Sequence, residues 1–169
     1  MVSIRAATVE DAGAISHVHV ESWRAAYEGI VPEAYLTSLS EEEHVPMWRN
    51  WLSLGTQAFV AAMDGEVVGF VCGGQIRESV QDYDAELFTI YLLPQAQGHG
   101  LGSALLKTLA DALHAQGFKS MVAWVLLDNS SSAFYRKTGA LPVSQKETQI
   151  GSVMLPVIAF GWPDLELIA

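Results

Sequence analysis

The chain has 169 residues, of which 50% are hydrophobic, and its 19 acidic and 9 basic side chains give a formal net charge of −10. This length predicts a single domain over residues 1–169. Because no apolar run approaches ~20 residues and no basic-then-apolar signal opens the chain, we expect a cytoplasmic protein without a membrane span. The acidic balance argues against nucleic acid and anionic membranes as partners and favours a cationic acceptor such as an amine, while acidity that serves only solubility explains it equally well.

The first half of the chain predicts a strand, a helical region and a hairpin. Residues 2–5 alternate between polar and apolar side chains, which is typical of a strand. Thr8 and Asp11 have the spacing of a capping box, so a long helix is expected to begin there and to end near Gly29. The elements that follow are one or two short helices and then two strands joined by an Asp-Gly turn, over residues 33–54, 57–63 and 66–75.

The centre of the chain, residues 86–140, has the pattern of a strand, a glycine loop, a helix and a second strand. Residues 86–93 are rich in β-branched and aromatic side chains and end at Pro94, which predicts a buried strand. Apolar side chains then recur at helical spacing over residues 101–113, and a second buried strand is predicted over residues 121–127. A unit of this kind is a right-handed parallel crossover.

The loop between that first strand and the helix reads Gln97-Gly98-His99-Gly100-Leu101-Gly102. Glycines let a ligand approach the backbone closely, and the first N–H groups of the following helix lack partners and favour negative charge. We therefore expect a ligand that carries phosphate. One interpretation is the dinucleotide fingerprint, in which Gly98 and Gly100 hold the first two glycine positions. Ser103 stands at the third position, and Asp128 is placed to act as the ribose-binding acid.

The other interpretation rests on a family resemblance. The pattern Gln97-x-x-Gly100-x-Gly102 resembles the pyrophosphate loop of the GNAT superfamily of acyl-CoA-dependent N-acyltransferases. Residues 128–140 resemble the second signature of that superfamily, with Asn129 after a strand and then a helix that carries Phe134-Tyr135 and ends at Gly139. Because both signatures occur in the right order, one helix and one strand apart, the chain is identified as a member of this superfamily, in a bacterial subgroup of unknown substrate.

The resemblance implies an α/β fold with a mixed sheet of six to seven strands flanked by about four helices. The last two strands are expected at residues 140–148 and 152–160. It also implies acetyl-CoA as co-substrate and no metal. The residues expected to bind acetyl-CoA belong to the central strand, the loop with the helix start, and the turn after the second strand: Ile90, Leu92, Gln97, Gly98, His99, Gly100, Leu101, Gly102, Ser103 and Asn129.

Acetyl transfer to an amine requires a neutral amine and a protonated leaving thiol. For an amine of pKa ~10.4, the neutral form lies about 4.6 kcal/mol above the ammonium form at pH 7. Glu86 matches the glutamate that some family members use as a base, and regular alternation along the strand predicts that it shares a face with Phe88, Ile90 and Leu92. An ordinary carboxylate at a strand end is the alternative. Tyr135 is the expected general acid, because its phenol stays protonated at pH 7; the alternative is a buried aromatic side chain.

The expected acceptor is the primary amine of a small molecule. Trp23 and Tyr27 lie one helical turn apart on one face and are predicted to contact the acceptor, although aromatic residues at this spacing often only pack. His17 and His19 point about 200° apart on a helix and are not expected to share a metal. A protein N-terminus or lysine as acceptor, and a non-catalytic acyl-CoA-binding module, remain alternatives. A homodimer is possible.

Overall fold

Seven strands form one mixed sheet in the order β1-β2-β3-β4-β5-β7-β6. The computed structural model describes residues 1–54, 56–127 and 132–168. The strands are β1 Val2–Ala6, β2 Gln57–Met63, β3 Glu66–Gln75, β4 Ala85–Leu92, β5 Met121–Leu126, β6 Leu141–Ile150 and β7 Val153–Trp162. The helices are α1 Ala12–Tyr27, α2 Glu33–Ser38, α3 Glu41–Ser53, α4 Leu101–Ala115 and α5 Ser132–Lys137. The mixed α/β sheet predicted from the sequence is confirmed, with five helices in the described residues instead of about four.

The sheet is covered on both faces. Helix α4 packs on one face, where a Cβ added to Gly73 of β3 would lie 3.0 Å from Leu109. Helices α1 and α3 pack on the other face, where the rings of Trp48 and Phe70 are 5.2 Å apart. A second, smaller apolar cluster joins the end of α1 to α2 and β7 through Tyr27, Leu36 and Val157, among others. None of the described helices is long and apolar enough to cross a membrane.

Strands β4 and β5 are parallel and separate soon after they begin. Only Ala85, Glu86 and Leu87 of β4 pair with β5, and β5 continues along β7 while β4 continues along β3. The backbone of β4 beyond Leu87 therefore has no strand partner on its β5 side within the described residues. The gap between these two strands is open to a ligand.

A β-bulge in β4 changes which side chains share a face. Cys72 of β3 lies opposite Thr89 and Gly73 lies opposite Leu87, so β4 contains one additional residue, Phe88, between these two pairs. Such an insertion shifts the alternation of all later side chains by one. Glu86 consequently shares its face with Thr89 and Tyr91. The prediction that Glu86 shares a face with Ile90 and Leu92 is wrong, because period-two alternation holds only along a regular strand.

The close contact between β3 and the bulge leads to a stability prediction. A Cβ on Gly73 would lie 2.6 Å from the Glu86 carbonyl oxygen, so Gly73→Ala should lower the free energy of unfolding by about 1–3 kcal/mol. Gly13 lies in α1 with open space around its Cβ position, and Gly13→Ala should raise that free energy by about 0.5–1 kcal/mol. Urea unfolding of both variants measures the difference. Equal midpoints would contradict the tight packing at the bulge.

Candidate functional site

A cleft of about 740 Å³ opens where β4 and β5 separate. Its walls come from the end of α1, from β4 and β5, from the glycine loop with the first turn of α4, and from α5. The predicted residues that line this cleft are Tyr27, Ile90, Leu92, Gln97, Gly98, Gly100, Leu101, Gly102, Ser103 and Tyr135. Glu86, Trp23 and His99 do not line it, and Asn129 lies outside the described residues, as does Asp128.

The glycine loop forms a cradle at the start of α4. Gly98 and Gly100 have φ angles of +79° and +77°, in the left-handed region that side chains rarely adopt. Helix α4 begins directly after Gly100, so its first N–H groups have no acceptor within the helix. A Cβ on Gly102 would lie 3.3 Å from the Phe134 ring, so this glycine allows α5 to approach α4. The cradle suits a diphosphate, because it offers N–H donors and the positive end of the helix dipole.

The free edge of β4 supplies further backbone donors. The Leu93 N–H donates to the Val68 carbonyl of β3 at 2.8 Å. Backbone groups alternate in direction along a strand, so the N–H groups of Ile90 and Leu92 point away from β3 and into the gap. Consistent with this direction, the Leu92 carbonyl accepts from the hydroxyl of Ser22 and the amide of Gln97, both at 3.4 Å.

Three tyrosines from three elements meet in the cleft: Tyr27 of α1, Tyr91 of β4 and Tyr135 of α5. Burial raises the pKa of Tyr135 well above its usual value, and the nearby Tyr27 raises it further. The pKa of Tyr91 is raised for the same reasons, with an additional contribution from its hydrogen bond to Tyr27. Tyr91 and Tyr135 therefore carry neutral O–H groups at pH 7. Tyr135 is held by Phe160, against which its ring stacks with centroids 5.6 Å apart.

Glu86 is buried and bound to Arg77. The Arg77 Nη2 donates to Glu86 Oε2 at 2.7 Å, while the Arg77 backbone N–H and Nε donate to Oε1 at 3.1 and 3.3 Å. The guanidinium also lies 4.3 Å from the centroid of the Phe88 ring. Only 4% of the Glu86 side chain is exposed. The predicted base is therefore paired with a cation and is not brought together with Tyr135 in the cleft.

The two predicted acceptor residues have different surroundings. Tyr27 lines the cleft, whereas Trp23 packs against it, with its ring 4.5 Å from that of Tyr27 and 5.9 Å from that of His19. The His19 ring also contacts His44, Trp48 and Tyr91. Burial, together with the neighbouring His44, lowers the pKa of His19 to about 4. His19 is therefore neutral at pH 7 and belongs to the wall behind the cleft.

A potential metal-binding group lies outside the cleft. His17, Glu21 and Glu41 each place one ligand atom within 4.8 Å of the others. His17 Nδ1 contacts Glu41 Oε1, and Glu21 lies 3.5 Å from Arg24. His19 is not part of this group. Exposed acidic groups of this kind are common without a metal ion.

Among the lining residues of the cleft that sequence reasoning missed are the polar side chains of Ser22, Tyr91 and Lys137. Ser22 lies one position before Trp23 on α1, and no sequence signal separates it from a packing residue. Tyr91 is brought in by the bulge, which has no signal in the sequence of β4 alone. Lys137 directly follows Arg136, and two adjacent basic residues give no sequence signal for which of them enters the cleft.

The chain is similar to known proteins over most of its length. The model of the acetyltransferase (GNAT) family matches residues 20–140. The chain belongs to this family. An uncharacterized N-acetyltransferase, YuaI of Bacillus subtilis, is 41% identical over 98% of this chain and 95% of its own length. A spermidine N(1)-acetyltransferase of Thermoplasma acidophilum is 27% identical over 82% of this chain and 87% of its own.

A solved structure has the same fold. The PaiA N-acetyltransferase of Thermoplasma acidophilum, in complex with coenzyme A, superposes with a TM-score of 0.75 at 25% identity, over 96% of this chain and 99% of the other. The present chain is thus an acyl-CoA-dependent N-acetyltransferase of the GNAT family. Its glycine cradle and β4 donors fit the diphosphate and amide groups of coenzyme A. The dinucleotide interpretation of the loop is not supported.

The buried imidazole of His19 leads to a prediction about pH. The folded pKa of about 4 lies below the unfolded value of 6.5, so between these values the unfolded chain binds more protons. The contribution of the neutral imidazole to the free energy of unfolding is therefore fully present above pH 6.5. It decreases as the pH falls, by about 2 kcal/mol at pH 5. Urea unfolding at pH 7.5 and pH 5 measures this loss.

A glutamine variant provides the control for this pH effect. His19→Gln is less stable at pH 7.5 but should lose about 2 kcal/mol less than the wild type on acidification. The Arg5 guanidinium lowers the pKa of Asp11, so protonation of Asp11 reduces the free energy of unfolding only at pH values below this range. A variant with the same pH dependence as the wild type would show that another group is responsible.

Proposed function

We propose that this enzyme transfers the acetyl group of acetyl-CoA to the primary amine of a small cationic molecule, by direct attack in a ternary complex. The observation that carries this proposal is one cleft lined by the glycine cradle, the free edge of β4 and the Tyr135 phenol. Acetyl-CoA supplies the thioester. The N–H groups of Ile90 and Leu92 hold the pantetheine arm and stabilise the oxyanion, an effect typically worth ~3 kcal/mol.

Tyr135 is proposed to donate its proton to the leaving thiolate as the C–S bond breaks, and the proton that the nitrogen loses on forming the amide, passed on through solvent, restores the phenol. An ordinary thiol has a pKa of about 8.5, whereas burial raises the pKa of Tyr135 above that of a free phenol. Full ionisation of the phenol is therefore unfavourable before reaction. The same apolar surroundings disfavour the thiolate, so hydrogen-bond donation by Tyr135 becomes most valuable as the C–S bond breaks.

The role proposed for Glu86 is to hold the chain between β3 and β4 in place through Arg77, without acting as the base. A general base needs an available lone pair near the amine, and both Glu86 oxygens accept from Arg77. In this proposal the amine enters in its neutral form. The cost of neutralising a typical amine is about 1.36 kcal/mol per pH unit below its pKa.

The acceptor is proposed to be cationic because of a groove next to Tyr27. This groove of about 780 Å³ lies between the α1–α2 connection and the β6–β7 hairpin. Its described lining includes Glu28 and Glu33, contains no basic side chain, and has apolar residues such as Ile30 and Leu36. An amine with a hydrocarbon body and a positive charge fits such a lining. The similarity to a spermidine acetyltransferase and the net charge of −10 support the same class.

A thermal-shift titration combined with a thiol-release assay tests this function. Acetyl-CoA and CoA should raise the melting temperature, while NAD should leave it unchanged. Among polyamines, amino acids, aminoglycosides and peptides with a free N-terminus, a polyamine should release thiol fastest. Release with a peptide alone would replace the small-molecule proposal, and binding without release to any amine would favour a non-catalytic module.

Substitution of the phenol tests the proton donor. Tyr135→Phe should lower kcat by about 100-fold, at the lower end of general acid effects because a thiolate is a good leaving group. The dissociation constant for acetyl-CoA should change less than twofold. Tyr35→Phe, on α2 outside the cleft, is the matched control and should keep the wild-type kcat. An unchanged kcat for Tyr135→Phe would remove this residue from the mechanism.

Substitution of Glu86 tests the absence of a carboxylate base. With a neutral amine as the attacking species, kcat/KM should rise about tenfold per pH unit from pH 7 to 9 in the wild type. Glu86→Gln should keep this slope while lowering the melting temperature, because it weakens a buried ion pair. A slope that flattens in the wild type and is altered in Glu86→Gln would identify Glu86 as the base.

A further inference from the structure

Lys137 is the only formally charged side chain among the described residues that line the cleft. Every other lining residue is apolar, glycine or neutral and polar. The whole protein carries an excess of acidic groups, so a cation in this cleft is not explained by composition. Within residues 1–54, 56–127 and 132–168, no carboxylate lies within ion-pair distance of the Lys137 ammonium.

The position of Lys137 on α5 directs it toward the glycine cradle. Phe134 packs against Gly102 in the first turn of α4. Lys137 follows Phe134 by three residues and therefore lies on the same face of α5. Arg136, the adjacent residue, points elsewhere, with its guanidinium 5.3 Å from the centroid of the Phe160 ring. The two neighbouring basic residues thus have different surroundings, and only Lys137 belongs to the cleft.

We propose that Lys137 binds the 3′-phosphate of coenzyme A and makes the enzyme prefer acetyl-CoA to its 3′-dephospho form. The N–H groups of the cradle and the helix dipole already serve the diphosphate. The remaining phosphate is a monoester with a charge of about −1.5 to −2 at pH 7, and the lysine ammonium suits it as a compact point charge. This inference rests on the acyl-CoA dependence of the family and is independent of the acceptor.

Isothermal titration calorimetry with CoA and 3′-dephospho-CoA separates the two phosphate sites. Lys137→Gln should weaken CoA binding about tenfold, because a charge-assisted hydrogen bond is worth at least ~1.4 kcal/mol. The same variant should bind 3′-dephospho-CoA within twofold of the wild type. Lys137→Arg, which retains the charge, should keep most of the preference for CoA.

Arg136→Gln is the matched control, because it removes one positive charge from the same turn of the same helix. It should change neither affinity by more than twofold, and melting temperatures should show that all variants fold. Equal weakening of CoA and 3′-dephospho-CoA by Lys137→Gln would assign Lys137 to the diphosphate and overturn the proposal. Unchanged affinity for both would also overturn it, because Lys137 would then not bind the cofactor.

Discussion

The separation of β4 from β5 is the constraint on which the site depends. Three residue pairs join these parallel strands at their start, and the bulge at Phe88 then bends β4 away from β5. If β4 and β5 remained paired, the N–H and C=O groups of Ile90 and Leu92 would form hydrogen bonds with β5. Because the pair ends early, the N–H groups of Ile90 and Leu92 can bind a ligand without breaking a hydrogen bond to β5. The glycine cradle and α5 lie at the borders of the gap that results.

Several polar side chains in and behind the walls of this gap are buried, and burial determines which protonation state they adopt. Burial raises the pKa values of Tyr91 and Tyr135 and lowers that of His19, so all three side chains are neutral at pH 7. A buried carboxylate in such surroundings requires a cation. Glu86 forms an ion pair with Arg77, and the Arg77 guanidinium lies over the Phe88 ring. Apart from Lys137, the described side chains that line the cleft are therefore neutral, while the negative charge of Glu86 is compensated outside it.

The features that the sequence allowed us to predict are local in the chain. The glycine loop, the stripe of α4 and the Phe134-Tyr135 pair each depend on spacing within one element, and the structure has them where the pattern indicated. The face of Glu86 was mispredicted because the bulge depends on the register with β3. The ion-pair partner of Glu86, Arg77, lies nine residues earlier in the connection between β3 and β4 and has no signal within β4. Trp23 and Tyr27 were indistinguishable, since both lie on one face of α1 and only the position of the helix end separates them.

Charge has opposite consequences for the two substrates. A protein of net charge −10 repels coenzyme A at long range, but screening with a Debye length of about 8 Å limits this repulsion. Short-range donors must then supply the affinity, and we propose the N–H groups after Gly100 and Lys137 as these donors. A cationic amine is attracted by the same net charge, and Glu28 and Glu33 line the groove beside Tyr27. Among the described lining residues, the positive charge of Lys137 thus lies on the proposed cofactor side, and the carboxylates of Glu28 and Glu33 lie on the proposed acceptor side.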